Sequence, residues 1–127
     1  MKSEKKNNII LKLTFEFSLK IIKYAEILDT EKKYTIAKQV LRSGTSIGAL
    51  SREAQNAESL NDFIHKFKIA AKEMDETEYW LELCKFSYSH KEADELLNML
   101  DEISKIITKI ITSSKNKTRK LANSQIG

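Results

Sequence analysis

The sequence predicts an all-α protein, an antiparallel four-helix bundle with up-down-up-down topology. Its 127 residues include no proline, and Gly44 and Gly48 are the only internal glycines, whereas β-sandwiches, barrels and βαβ folds need turn residues at many places. Apolar residues recur with the roughly 3.6-residue period of a helix in four long stretches. The polar breaks between these stretches are short, so neighbouring helices run antiparallel. A hydrophobic content of 41% is enough for the core of one domain.

The first helix is predicted over residues 7–29. Its apolar stripe advances in steps of three and four residues through Ile10, Leu13, Phe17, Ile21, Tyr24 and Leu28. A second apolar strip runs beside it through Leu11, Phe15, Leu19 and Ile22. Because a helix in a monomeric bundle buries only one face, the surplus strip predicts that the protein associates with itself.

The second helix is predicted over residues 33–57, with Asp29 or Thr30 placed to cap its start. Gly44 and Gly48 lie four residues apart inside it, on one face. Glycine within a helix costs up to about 1 kcal/mol relative to alanine, so the pair predicts that another backbone approaches closely there. No strand pattern precedes these glycines and no Lys-Ser/Thr follows them, which excludes a phosphate-binding loop.

The third and fourth helices are predicted over residues 60–88 and 90–112. A capping box marks the start of the third, because Ser59 precedes Asp62 by three residues, and Ser89 and Glu92 repeat that spacing before the fourth. After Thr112 the apolar periodicity is lost and the charge rises. The sequence therefore predicts a bundle within residues 1–112 and a basic, flexible C-terminal tail over residues 113–127.

No arrangement of residues typical of an enzyme or a metal site is present. The single cysteine, Cys84, excludes an internal disulfide and a cysteine-based zinc site, and its place in an apolar stripe indicates an inert thiol. Asp62 and His65 resemble half of a di-iron motif, but His90, the only other histidine, lacks a carboxylate at the matching spacing. We expect no catalytic residues, no cofactor and no bound metal. A cytoplasmic protein without a membrane span is expected as well.

Helix three carries an acidic run and an aromatic cluster. The acidic residues are Glu73, Asp75, Glu76, Glu78 and Glu82. Their spread around the helix favours a solvated face, with an ion-pair surface between subunits as the alternative. Tyr79 and Trp80 lie off the main apolar stripe, which favours a protein interface for them.

Basic residues are concentrated at the two ends of the chain. Residues 105–127 contain six basic residues and no acidic residue, and residues 1–12 contain four lysines and one glutamate. In the predicted topology both regions meet where helices one and three start and helices two and four end, an end of the bundle that we call the basic pole. The candidate nucleic-acid-binding residues there are Lys2, Lys5, Lys6, Lys66, Lys115, Lys117, Arg119 and Lys120. Solubility alone is the alternative explanation for these charges.

Several blocks of the sequence resemble a known family. They are residues 39–49, with Arg42, Ser43, Ser46 and the two glycines, then Asp62-Phe63-Ile64, residues 69–73, and Glu78-Tyr79-Trp80-Leu81. Together they resemble the bacterial four helix bundle protein family, first noticed in reading frames within intervening sequences of 23S ribosomal RNA genes. The sequence departs from many members after Ala49, where it has Leu50 in place of asparagine and keeps Glu53.

The resemblance implies an antiparallel bundle that assembles into a homopentameric ring. A related branch, the accessory protein of diversity-generating retroelements, binds nucleic acid and a reverse transcriptase through basic surface, and no enzymatic activity is attached to the family. On this basis, and from their spacing, the expected packing or interface residues are Arg42, Ser43, Gly44, Ser46, Gly48, Glu53, Tyr79 and Trp80.

Three functional hypotheses follow. The leading one is a non-catalytic, ring-forming adaptor whose basic pole binds RNA or DNA without reading its sequence. The second is a scaffold that binds a partner protein through the aromatic end of helix three or its acidic flank. The third is a small-molecule or metal site inside the bundle.

Overall fold

The predicted four-helix bundle is confirmed. The computed structural model describes residues 4–126, with side chains described for residues 9–124. The helices are α1 (Glu4–Thr30), α2 (Tyr34–Ala54), α3 (Leu60–Tyr88) and α4 (Lys91–Ile126), and no strand occurs among the described residues. Each helix packs on the next one in the chain, and α4 also packs on α1, which closes the bundle. Consequently α1 and α3 lie diagonally opposite each other.

Contacts between neighbouring helices establish their antiparallel order. Gly44 lies against Ile21 in α1, and Gly48, one turn later in α2, lies against Thr14, nearer the start of α1. On the other side of α2, Ser46 Oγ lies 3.0 Å from Glu73 Oε1 in α3, and Glu53, later in α2, pairs with Lys66, earlier in α3. Lys85 Nζ near the end of α3 lies 3.1 Å from Asp94 Oδ1 near the start of α4. The start of α1, the α2–α3 connection and the end of α4 therefore share one end of the bundle.

One apolar core joins all four helices. Its largest fully buried side chains include Phe17, Tyr24, Phe67 and Leu81, to which α2 adds Ile47. They belong to the stripes predicted from the 3.6-residue period or continue them. Their transfer from water is the main favourable contribution to folding, at roughly 1.5–3 kcal/mol per large apolar side chain.

The α1–α2 connection differs from the prediction that Asp29 or Thr30 caps the second helix. Lys32 adopts a left-handed conformation with φ of 63°. Its N–H donates to the Asp29 carbonyl at 2.9 Å, and the Lys33 N–H donates to the Leu28 carbonyl at 2.8 Å. This bond pattern is a Schellman motif, in which the chain itself satisfies the last carbonyls of α1. The Thr30 hydroxyl also bonds backward, to the Glu26 carbonyl at 2.9 Å.

The other helix ends match the prediction in part. Ser59 caps α3 as expected, with its Oγ accepting from the Asp62 N–H at 3.0 Å. The second helix ends at Ala54 rather than at residue 57, because Gln55 N–H turns back to the Arg52 carbonyl in a tighter turn. Ser89 was expected to cap helix four, but it ends α3 instead, in a left-handed conformation with φ of 56° and its N–H donating to the Lys85 carbonyl.

The C-terminal segment also differs from expectation. In place of the flexible tail predicted for residues 113–127, α4 continues from Lys91 to Ile126. No glycine or proline interrupts this span. Ser114 is buried and Thr118 is half-buried, and the Thr118 hydroxyl donates to the Ser114 carbonyl at 3.1 Å. The inward stripe therefore continues through small polar residues, which hydrophobic periodicity does not detect.

A cluster of polar and aromatic side chains connects α1 to α4 at the end opposite the basic pole. The Tyr24 hydroxyl lies 2.8 Å from His90 Nδ1, and His90 Nε2 lies 3.0 Å from Glu31 Oε1. A carboxylate only accepts, so His90 Nε2 donates to Glu31. Lys33 Nζ lies 3.0 Å from Glu31 Oε1 and 4.3 Å from the Tyr88 ring centre. These contacts join both connections of this end.

Burial shifts the titration of two groups at this end. Removal from water raises the pKa of the Tyr24 hydroxyl above its ordinary value, with the neighbouring Cys84 thiol adding to the shift. Burial also raises the pKa of Cys84 itself. For Glu31, the hydrogen bond from Lys33 lowers the carboxyl pKa. Tyr24 and Cys84 are therefore held in their neutral forms.

Replacing Gly44 with alanine should destabilise the protein, whereas the same change at Gly48 should not. A Cβ at Gly44 would lie 2.9 Å from three carbons of the fully buried Ile21 side chain, while one at Gly48 would first meet atoms at 3.4 Å, an ordinary contact. We expect Gly44→Ala to lower the free energy of unfolding by about 1–2 kcal/mol through overpacking. Gly48→Ala should raise it by up to about 1 kcal/mol through helix propensity. Urea unfolding of both variants measures this, and equal stabilisation by both would contradict the close approach at Gly44.

Alkaline pH should destabilise the protein through Tyr24 and Cys84. Their pKa values are raised by folding, so their contribution is complete below about pH 9 and is lost as the pH rises further, where the unfolded chain releases protons that the folded chain keeps. Each group should lower the free energy of unfolding by at most about 1.4 kcal/mol per pH unit above its ordinary pKa. Urea unfolding at several pH values should show a shallower decline for Tyr24→Phe. Tyr79→Phe, at an exposed tyrosine, should leave the slope unchanged.

Candidate nucleic-acid interface

The last part of α4, from residue 105 onward, carries exposed cations and contains no acidic residue. Lys115, Lys117, Arg119 and Lys120 are all exposed. Lys115 and Arg119 are four residues apart and therefore lie on the same face of the helix. Among the side chains described for residues 9–124, none of these four cations forms an ion pair. We call these four residues the α4 cation ridge.

The ridge is a helix and not the flexible arm expected from the sequence. At about 1.5 Å of rise per residue, the step from Lys109 to Lys120 spans roughly 16 Å. Lys109 is exposed as well, although it was absent from the sequence-based candidates. The acid-free run from residue 105 onward was the signal that could have found it. The positions of the charges along the axis are thus set by the helix.

Lys66 is a weaker candidate than the ridge. Its Nζ lies 3.4 Å from Glu53 Oε1, across the α2–α3 connection, so its charge is partly neutralised. Glu58 and Asp62 add further acidic charge nearby, and the Glu58 N–H donates to Asp62 Oδ2 at 3.3 Å. Arg52, in the last turn of α2, stacks its guanidinium 5.5 Å from the Phe15 ring centre. The α2–α3 connection is therefore mixed in charge.

The remaining candidates belong to the start of the chain. Lys2 lies outside the described residues. Lys5 and Lys6 lie in the first turns of α1, but their side chains are also outside the described set. In the described part of the basic pole, α4 carries the largest group of exposed cations, and Lys12 on α1 adds another.

The expected packing residues divide between the two sides of α2. Gly44 and Gly48 face α1, against Ile21 and against Thr14 and Ser18 respectively. Ser43 is buried, and its hydroxyl donates to the Gln39 carbonyl at 2.8 Å. Glu53 contacts α3 through Lys66.

Arg42 is the centre of a polar network between α2 and α3. Its guanidinium donates to Glu73 Oε1 at 3.3 Å and also bonds to Glu76. Ser46 Oγ lies 3.0 Å from the same Glu73 oxygen, and Trp80 Nε1 donates to Glu76 at 3.0 Å. Glu76 thus receives two donors, Glu73 receives the Arg42 guanidinium and lies beside the Ser46 hydroxyl, and the network holds α2 against α3.

The acidic side chains of α3 therefore lie in two different environments. Glu73 and Glu76 are half-buried in the Arg42 network within the chain, whereas the sequence favoured a solvated face, or ion pairs between subunits, for this run. Asp75, Glu78 and Glu82 are exposed. Trp80 is half-buried because it packs against the core, whereas Tyr79 is 58% exposed and lies at the outer surface of α3.

Neither a metal centre nor a membrane span was found in the described part of the chain. No three or more histidine, cysteine, aspartate or glutamate side chains converge there as ligands of an ion would. His65 is exposed, and the Cys84 thiol is fully buried. None of the described helices combines the length and the apolar character that crossing a bilayer requires.

Comparisons with known proteins agree with the fold. A solved structure from Bacteroides thetaiotaomicron VPI-5482, described as a protein with unknown function from the S23 ribosomal protein family, is 42% identical in sequence and superposes with a TM-score of 0.80. The alignment covers 84% of this chain and 98% of that one. No curated protein matches the chain. The family model of the 23S rRNA-intervening sequence protein matches residues 6–109, so the chain belongs to that family.

Proposed function

We propose that this protein is a non-catalytic, oligomeric adaptor that binds RNA or DNA electrostatically through the α4 cation ridge. The observation that carries the proposal is the ridge itself, in which four exposed cations follow one another on a helix segment without acidic residues. Each cation that neutralises a phosphate releases condensed counterions, which favours binding regardless of base sequence. The lone cysteine suits the reducing cytoplasm as the place of this function.

Self-association would make a weak site effective. Phe15 and Leu19 on α1 are 51% and 48% exposed, so an apolar strip remains uncovered in the single chain. The resemblance described above implies a homopentameric ring. A ring repeats the ridge once per copy, and several weak contacts with one long nucleic acid then act together.

A protein-binding scaffold without nucleic-acid binding is the second candidate function. Phe86 on α3 is 78% exposed, the largest value among the large apolar side chains that the structure describes. Tyr79 lies seven residues, or two helical turns, before it on the same face. Exposed aromatic residues of this kind are typical anchors of protein interfaces. Association with a partner that survives nuclease treatment would favour this function over the first.

Neutralising the ridge should weaken nucleic-acid binding and its salt dependence. We expect the triple variant Lys117→Gln, Arg119→Gln, Lys120→Gln to bind duplex DNA or RNA less tightly than the native chain at low salt. The slope of log K against log salt should become shallower by up to about 2.7 on duplex DNA, since each lost phosphate contact removes roughly 0.9. Fluorescence anisotropy with a labelled duplex, measured across a salt series, gives both quantities.

A matched variant controls for total charge. Lys32→Gln, Lys38→Gln, Lys91→Gln removes the same number of exposed lysine or arginine charges at the opposite end of the bundle. This variant should keep the native salt slope. Equal losses in both triple variants would reject the ridge as the binding site and leave only a general charge effect.

A further inference from the structure

We propose that the end of α4 binds in the major groove of duplex DNA, with the amides of Asn116 and Asn123 against the base edges. This binding mode rests on the proposed function, to which it adds the kind of nucleic acid and two contacts to bases. The segment lies beyond residues 6–109, the part of the chain that matches the family model, so membership of the family does not account for it.

The last turns of α4 are exposed on every side. Thr118 is half-buried, and each described side chain that follows it, from Arg119 to Ser124, is exposed. An α-helix with its side chains is about 10–12 Å in diameter, and the major groove of B-form DNA is about 12 Å wide. The end of α4 therefore fits this groove, whereas the major groove of an RNA duplex is too narrow for side chains to read.

Two asparagines form a row on the outer face of this segment. Asn116 and Asn123 are both exposed, and their spacing of seven residues is about two helical turns. The buried Ser114 lies about 160° away from Asn116 around the helix axis, on the side of the core. The row therefore points away from the bundle. Its two amides are roughly 10 Å apart along the axis, which is about three base-pair steps.

The α4 cation ridge flanks this row on both sides. At about 100° per residue, Lys115 and Arg119 lie roughly 100° and 60° to one side of Asn116. Lys117 and Lys120 lie roughly 100° and 40° to its other side. The walls of a DNA groove are the two phosphate backbones, and the base edges form its floor. Two cations thus face each wall when the asparagine row faces the bases.

An asparagine amide matches the exposed edge of an adenine. The amide has an oxygen that accepts and an NH₂ group that donates, and adenine presents an N7 acceptor and an N6 donor in the major groove. One asparagine can therefore bond to both adenine atoms at once. Two such contacts do not define a target sequence. They favour duplexes that contain adenine, while the cations supply most of the binding affinity.

Removing the N7 acceptor from the DNA tests the base contact directly. A duplex with 7-deazaadenine in place of adenine keeps its base pairs and phosphates but lacks N7 in the major groove. Fluorescence anisotropy should show that the native chain binds this duplex about fivefold or more weakly than the unmodified duplex. The native chain should also bind the unmodified DNA duplex about tenfold more tightly than an RNA duplex of the same sequence.

The double variant Asn116→Ala, Asn123→Ala should lose this preference. It should bind both DNA duplexes equally, and about as weakly as the native chain binds the modified one. Its salt slope should stay native, because no cation is removed. Alanine is a better helix former than asparagine, so circular dichroism should show native helicity.

Asn98→Ala is the matched control. Asn98 is exposed on the same face of α4, about five helical turns before Asn116 and far from the ridge. This variant should bind each duplex like the native chain. A loss of affinity equal to that of the double variant would contradict the assignment of the base contacts to the end of α4.

The outcomes separate this inference from the proposed function. If the native chain binds all three duplexes equally while neutralising the ridge still lowers the salt slope, groove binding is wrong and the proposed function stands. If the double variant still distinguishes the two DNA duplexes, Asn116 and Asn123 are not the base contacts. If the native chain binds none of the duplexes at low salt, both the groove binding and the nucleic-acid part of the proposed function are overturned.

Discussion

The close approach of α2 to α1 at Gly44 is the constraint on which the rest of the structure depends. The absence of a side chain lets the buried Ile21 lie against the α2 backbone, at a distance where a Cβ would overlap it. Helix packing of this kind determines both the spacing and the register of two helices. The cost of glycine within a helix, up to about 1 kcal/mol, is offset by the burial that this contact allows.

From this contact the register extends across the bundle. Arg42 and Ser46 flank Gly44 on the opposite side of α2 and bind two carboxylates of α3. One short segment of α2 therefore holds α1 by apolar contact and α3 by polar contact. Apolar packing sets how close two helices lie but tolerates some rotation of a helix about its axis. Hydrogen bonds with defined donors and acceptors restrict that rotation.

The outer surfaces follow from this arrangement. Because α1 and α3 are diagonal, Phe15 and Leu19 on α1 and Tyr79 and Phe86 on α3 are exposed on opposite sides of the bundle. The α4 cation ridge lies near the end of the last helix, far from these residues in the sequence. The exposed apolar residues and the cation ridge are thus separate sets, so self-association and electrostatic binding can be tested separately.

The sequence by itself determined the four helices, the core and the family. Periodic apolar residues are a local signal, so both ends of α3 and most core positions of α1 were predicted correctly, and the glycine pair indicated a close approach. Only the tertiary structure decided features whose cause lies in distant residues. One of them is the burial of Ser114 in the part of α4 beyond residue 112. The Schellman motif after α1 and the left-handed Ser89 at the end of α3 are local, but they consist of backbone bonds that the side-chain pattern does not signal. Glu53 across the α2–α3 connection partly neutralises Lys66, and Arg42 divides the acidic run into bound and exposed carboxylates. The physical reason is that the partner of a polar side chain depends on which helices meet and at what height, and no local pattern encodes that.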